Sequence, residues 1–138
     1  VTDTAMNVLL VDDDDIDVVN VQRAFQQAHI TSALRVASNG IEALAMLRAE
    51  SLPRARRLVL LDLNMPRMNG LEFLRAVRAD PTLASLPVVV LTTSNGERDK
   101  VDAYHLNVAG YLLKPVTHAD FVEMMATLHR YWELVELP

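Results

Sequence analysis

An α/β fold built on a doubly wound, mostly parallel sheet is what this sequence predicts, and three observations carry the prediction. Short apolar runs alternate with longer amphipathic ones along the whole chain. The runs LVLL (Leu58–Leu61) and VVVL (Val88–Leu91) lack polar alternation, as strands do when both of their faces are covered. Breakers fall between the periodic segments: Ser38-Asn39-Gly40, Asn69-Gly70, Pro81, Pro87 and Pro115. Repeated strand–helix units joined by right-handed crossovers then put helices on both sides of the sheet.

Taken in order, Met6–Val11 is an apolar run that ends in an acidic knot, and it reads as a first strand. Val18–Gln27 is amphipathic and helical, and Ala33–Ala37 is a second strand closed by the Ser-Asn-Gly breaker. Gly40–Ala49 is a helix, Leu58–Leu61 a third strand, and Leu71–Arg78 a short helix after Asn69-Gly70. Pro81 and Pro87 bound the approach to a fourth strand, Val88–Leu91, and a helix follows over Arg98–His105. Tyr111–Leu113 is a fifth strand, and Thr117–Val135 the longest helix.

Thr117 and Asp120 have the spacing of a capping box at the start of that last helix. Along it Phe121, Met125, Leu128, Trp132 and Val135 recur at four- and three-residue steps, an apolar stripe that Met124 and Tyr131 widen. Part of the stripe must cover the sheet. The rest, with the fourth helix and fifth strand, is expected to form a homodimer face that includes Trp132.

At 138 residues and 51% hydrophobic composition the chain suits one compact domain over 1–138, with residues 1–5 expected to be flexible. There is no cysteine, hence no disulfide or thiolate site, and a cytoplasmic setting is compatible. No apolar run is long enough to cross a bilayer. The formal charge of -5 argues against direct nucleic-acid binding. Arg54, Arg56 and Arg57 form a small basic cluster, read as a solvated loop.

Functional groups of an open parallel sheet gather beyond the carboxyl ends of its strands. Asp12 and Asp13 lie there after the first strand, Asp62 after the third, Thr92 and Thr93 after the fourth, and Lys114 after the fifth. Three carboxylates at one rim repel unless a cation offsets them, and an all-oxygen set suits magnesium or manganese. Asp15 and Asp17 read more simply as first-turn acids of a helix. Asp62 is the candidate nucleophile toward phosphorus, with Lys114 neutralising phosphoryl oxygens and a threonine hydroxyl donating to one of them.

LLVDDDD (Leu9–Asp15), LLDLNMPRMNG (Leu60–Gly70), VVVLTTS (Val88–Ser94) and GYLLKP (Gly110–Pro115) resemble, in order and spacing, the four motifs of response-regulator receiver domains. The resemblance implies a flavodoxin-like (βα)5 receiver fold with strand order 2-1-3-4-5. It implies that Asp62 accepts a phosphoryl group from a sensor histidine kinase. It further implies that Asp13, Asp62 and the Asn64 carbonyl hold Mg2+ (or Mn2+), with Asp12 acting through water. Thr92 matches the switch hydroxyl (Thr93 being the local alternative), and Tyr111 the aromatic whose rotamer accompanies activation. Asn64 and Ser94 match the rate-tuning positions, and Lys114-Pro115 a peptide bond that is commonly cis. Metal-dependent self-phosphorylation and self-dephosphorylation follow, in a switch rather than a metabolic enzyme.

Ser51–Arg57, LPVVVLTTS (Leu86–Ser94) and YWELVELP (Tyr131–Pro138) are similar to stand-alone regulators paired with bacterial and cyanobacterial phytochrome kinases. A phytochrome kinase is therefore the expected partner. The competing class is a receiver-like protein-binding module that works without phosphorylation; the intact Asp13, Asp62, Thr92 and Lys114 set argues against it. A flavodoxin-like electron carrier would need a phosphate cradle where Asp12–Asp15 stand.

Overall fold

The computed structural model describes residues 6–49, 52, 53 and 55–137. Five strands alternate with five helices: β1 (Asn7–Val11), α1 (Asp15–Gln27), β2 (Ala33–Ala37), α2 (Gly40–Arg48) and β3 (Arg57–Leu61). They continue with α3 (Gly70–Ala79), β4 (Val88–Thr92), α4 (Glu97–His105), β5 (Gly110–Leu113) and α5 (His118–Leu134). All neighbours pair in parallel, in the order β2-β1-β3-β4-β5. The expected doubly wound sheet is present. The expected flexible segment 1–5, Arg54 and the termini of the Ser51–Arg57 and Tyr131–Pro138 motifs at Ser51 and Pro138 lie outside the described residues.

The central strands show why polar alternation is missing. Leu9, Val11, Val59, Leu61, Val88 and Val90 point to one side, packing with Leu44, Leu47, Phe73, Leu74 and Val77 of α2 and α3. Val8, Leu10, Leu58, Leu60, Val89 and Leu91 point to the other, against Val21 and Phe25 of α1 and Phe121, Met125 and Trp132 of α5. Each strand therefore feeds two cores, and a polar side chain on either face would be desolvated without a partner.

Three expectations need correction. Phe121 and Met125 cover the sheet as part of the stripe was expected to, but Trp132, expected on the dimer face, is buried in the same core, because the sheet claims that side of α5 first. The part of α5 left outside carries Tyr131 and Leu134, which are exposed, and Met124 and Leu128, which are half-buried. At the start of α5 the Thr117 hydroxyl accepts the Asp120 N–H at 3.2 Å, but Asp120 is too short to be the reciprocal partner that a Glu provides. The reciprocal pair occurs instead at α3, between Asn69 and Glu72.

The third concerns the arginines. Arg56 donates to the last carbonyls of α5, Trp132 at 2.9 Å and Val135 at 3.2 Å, and Arg57 is 8% exposed in β3. Arg56 is thus a structural cation at the negative dipole end of α5, and Arg57 is buried in β3, so neither belongs to a solvated loop.

Candidate functional site

Asp12, Asp62 and Lys114 are each the first residue past a strand, and each is still tied to the sheet. The Asp12 N–H donates to Ala37 O, that of Asp62 to Val11 O and that of Lys114 to Thr92 O, at 2.9–3.0 Å. Their side chains are thus aimed from backbone that cannot wander. Behind Asp62, Gly70 opens α3 so closely that a Cβ there would lie 2.5 Å from the Asp62 carbonyl oxygen. Glycine is required at that position by the close approach, and any side chain would push Asp62 out of place.

The rim brings the expected residues together. Asp12, Asp13 and Asp62 each place a carboxylate oxygen within 4.8 Å of the others. Asp12 and Asp62 are buried, whereas Asp13 faces solvent. The Thr92 hydroxyl, fully buried, donates to Asp62 Oδ1 at 2.8 Å, and the Asn64 N–H reaches the same oxygen at 3.3 Å. Thr93 is exposed, whereas Thr92 is the hydroxyl that reaches Asp62. Lys114 Nζ lies 2.9 Å from Asp12, 3.4 Å from Asp62 and 2.6 Å from Asp17.

Asp17 is the residue whose second role sequence reasoning missed. It does stand in the first turn of α1, whose N-cap is Asp14, but its carboxylate also belongs to the site. The only signal was its place in the acidic knot Asp12–Asp17, and a first-turn acid there is equally explained by the helix dipole. The Lys114–Pro115 peptide is another correction: among the described residues none is cis, so this bond is trans. The long lysine stem carries the ammonium into the cleft without the isomer.

Burial pushes the Asp12 carboxyl above the usual carboxylate range, against the opposing pull of the Asp14 N–H and Lys114. Burial alone would lower the Lys114 ammonium. The hydrogen bonds to Asp17 and Asp12 and the charges of Asp12 and Asp62 outweigh it, and the ammonium is held above the ordinary lysine range. A raised lysine contributes stability that is fully present below that ordinary range and is lost as pH rises through the higher folded value. Lys114 is therefore charged at neutral pH and stays so well into alkali.

From Asp62 a chain of contacts leads outward. The Ser94 N–H reaches the Thr92 hydroxyl at 3.3 Å, the Ser94 hydroxyl donates to Asp99 of α4, and the Tyr111 hydroxyl donates to the Ser94 carbonyl at 2.8 Å. Burial raises the Tyr111 phenol; the bond to Ser94 opposes this, and the charges of Asp99 and Asp62 add to it. Thr92, Tyr111 and the start of α4 are thus mechanically joined through Ser94.

A divalent cation fits the donor set, which offers converging carboxylates and neither histidine nor cysteine. Because Asp13 adds a third negative charge beside two buried carboxylates, Asp13→Asn should raise the melting temperature in chelator by about 2–4 °C. The same variant should lose most of the further rise that Mn2+ or Mg2+ gives the wild type. Thermal melts with and without the cation check both halves, and an equal cation-induced rise in the two proteins would remove Asp13 from the ligand set.

With this fold and rim, residues 8–126 match the response regulator receiver domain family, and the chain belongs to it. Among its relatives is response regulator Rcp1 of Synechocystis sp., 38% identical over 136 residues, covering 95% of this chain and 92% of that one. The Mn2+-bound structure of Rcp1 matches with a TM-score of 0.83 over 95% of this chain and 97% of that chain. The phosphorylated cyanobacterial phytochrome response regulator RcpA matches at 0.84, 34% identical, over 97% and 99%. RPA3017, a response regulator in red light signaling of R. palustris, matches at 0.86, 33% identical, over 96% and 98%. Among the described residues no helix is long and apolar enough to cross a membrane.

Proposed function

We propose that Asp62 accepts a phosphoryl group from a histidine of a sensor kinase and that the kinase is a phytochrome. The observation that carries the first part is the shared geometry at Asp62: two further carboxylates within 4.8 Å, Thr92 at 2.8 Å and Lys114 at 3.4 Å. A carboxylate oxygen of Asp62 attacks phosphorus, the P–N bond to the kinase imidazole breaks with its electron pair left on nitrogen, and an acyl phosphate forms. A bound Mg2+, with Mn2+ as an alternative, supplies the charge that screens the incoming anion. Asp13, Asp62 and the Asn64 carbonyl would hold it, with Asp12 acting through water.

Lys114 and the Thr92 hydroxyl stabilise phosphoryl oxygens, and Thr92 and Tyr111 carry the switch outward through Ser94. Hydrolysis follows when water attacks phosphorus and returns the Asp62 carboxylate with inorganic phosphate. Asn64 offers no general base, and the Ser94 hydroxyl is engaged by Asp99, so the rate-tuning pair favours a persistent phosphorylated form. The phytochrome pairing is supported by the two light-linked regulators at 33–34% identity. A cytoplasmic location suits that partnership. The test is a phosphotransfer profile against purified kinases with Mg2+, with the labelled residue mapped by mass spectrometry. Label on Asp62 from a phytochrome kinase in preference to others is the expected result; preference for another kinase would overturn the pairing alone.

The same reading includes a homodimer on the α4–β5–α5 face. A shallow apolar groove there is lined by Leu112, Met124, Leu128 and Tyr131, with Tyr131 58% exposed. Tyr131→Asp should weaken self-association at least tenfold in sedimentation equilibrium, since a charge would be desolvated in the contact. A wild type that stays monomeric, with or without phosphorylation, would end the dimer proposal.

A further inference from the structure

The shortest contact of Lys114 is with a carboxylate outside the expected set. Its three N–H donors meet three acids: Asp17 at 2.6 Å, Asp12 at 2.9 Å and Asp62 at 3.4 Å. An ammonium has three donors, so none is spare. Asp12 and Asp62 belong to the acidic triad that a cation can hold. Asp17 does not, and it comes from the first turn of α1 rather than from the sheet. The Lys114 side chain is 6% exposed and that of Asp17 25%, so the pair is only partly screened by solvent.

We propose that Asp17 is a positioning residue that holds Lys114 in the unmodified protein and restrains its transfer to the phosphoryl group, resting on the reading that Asp62 is the acceptor. A phosphoryl group on Asp62 brings three strong acceptor oxygens to a lysine with no free donor. At least one existing bond must then lengthen. Asp12 and Asp62 are pinned by the sheet, and each is the first residue past a strand. Asp17 sits in the first turn of α1 with its side chain 25% exposed, against 1% for Asp12 and 8% for Asp62, so the Asp17 bond is the one that can yield. A contact made in the unmodified state and lost in the phosphorylated one shifts the balance toward the unmodified state. Breaking it also frees the first turn of α1 from β5, which gives phosphorylation a second outlet besides Tyr111.

The test measures labelling by a small acyl-phosphate donor with Mg2+ in wild type, Asp17→Asn, Asp17→Glu, Lys114→Met and the double variant Asp17→Asn/Lys114→Met. Circular dichroism first confirms that each is folded. Asp17→Asn should be labelled about fivefold faster than wild type, a typical size for such a coupling. Asp17→Glu keeps the charge and should stay near the wild-type rate. In the Lys114→Met background the Asp17→Asn acceleration should vanish. An unchanged or slower Asp17→Asn overturns the proposal, and so does an equal acceleration without Lys114, which would mean a general field effect on the anionic donor. A wild type that takes no label overturns the Asp62 reading together with this one; a labelled wild type with an indifferent Asp17→Asn overturns this one alone.

Discussion

Asp62→Asn should take up no phosphoryl group from a small acyl-phosphate donor under conditions that label the wild type. The substitution conserves shape, and its amide oxygen can still accept from Thr92 and the Asn64 N–H, which now meet at Asp62 Oδ1. What is lost is the nucleophile, and no neighbour replaces it: Asp12 is held by Lys114 and the Asp14 N–H, and Asp13 faces solvent. Removing the attacking group should slow labelling by at least roughly three orders of magnitude. Lys114→Met keeps the nucleophile and loses charge stabilisation, so it should fall between the two, on the order of 100-fold slower. Intact mass after incubation with Mg2+ reads all three proteins. Equal labelling of wild type and Asp62→Asn would sink the assignment.

Arg78→Met should be strongly destabilising although it lies outside the site. The Arg78 guanidinium, at the end of α3, donates to four backbone carbonyls: Leu106 at 2.7 Å, Leu86 at 2.8 Å, Ala84 at 2.9 Å and Asn107 at 3.0 Å. Those carbonyls lie in the connections before β4 and before β5, so one side chain holds two loops to one helix. Burial lowers the guanidinium from its usual value, but arginine stays charged at any physiological pH. Methionine would keep the apolar stem and leave four acceptors to find water. Charge-assisted bonds are worth about 1.5–3 kcal/mol each, and with partial access to water and incomplete additivity a loss of about 3 kcal/mol is expected. For a chain of this size that is roughly a 10 °C drop in melting temperature. Arg78→Lys should recover less than half, because one ammonium cannot span the four carbonyls. Urea denaturation of the three proteins measures it, and a loss below about 1 kcal/mol for Arg78→Met would show that water serves those carbonyls equally well.

The strands were legible because their signal is local, whereas their order came with the receiver-domain resemblance. LVLL and VVVL could be read as doubly covered strands from composition, and β2 falls on Ala33–Ala37 as its breakers imply. Asp12, Asp62 and Lys114 were legible for the same reason: each directly follows a strand, and parallel strands of one sheet end at one rim. The sequence by itself thus determined the sheet, the acidic rim and the class of chemistry.

Only the tertiary structure decided which side of α5 is core. An apolar stripe looks the same whether it meets a sheet or a second copy, and packing on β1 and β3 took Phe121, Met125 and Trp132. It likewise turned Arg56 and Arg78 into loop staples, because the carbonyls they bind are up to 79 residues away and carry no side-chain signature. It brought Asp17 to Lys114 across 97 residues, where helix-turn chemistry had already offered a sufficient local explanation. Local patterns specify what a segment is; which charged group finds which partner depends on distances that only the folded chain creates.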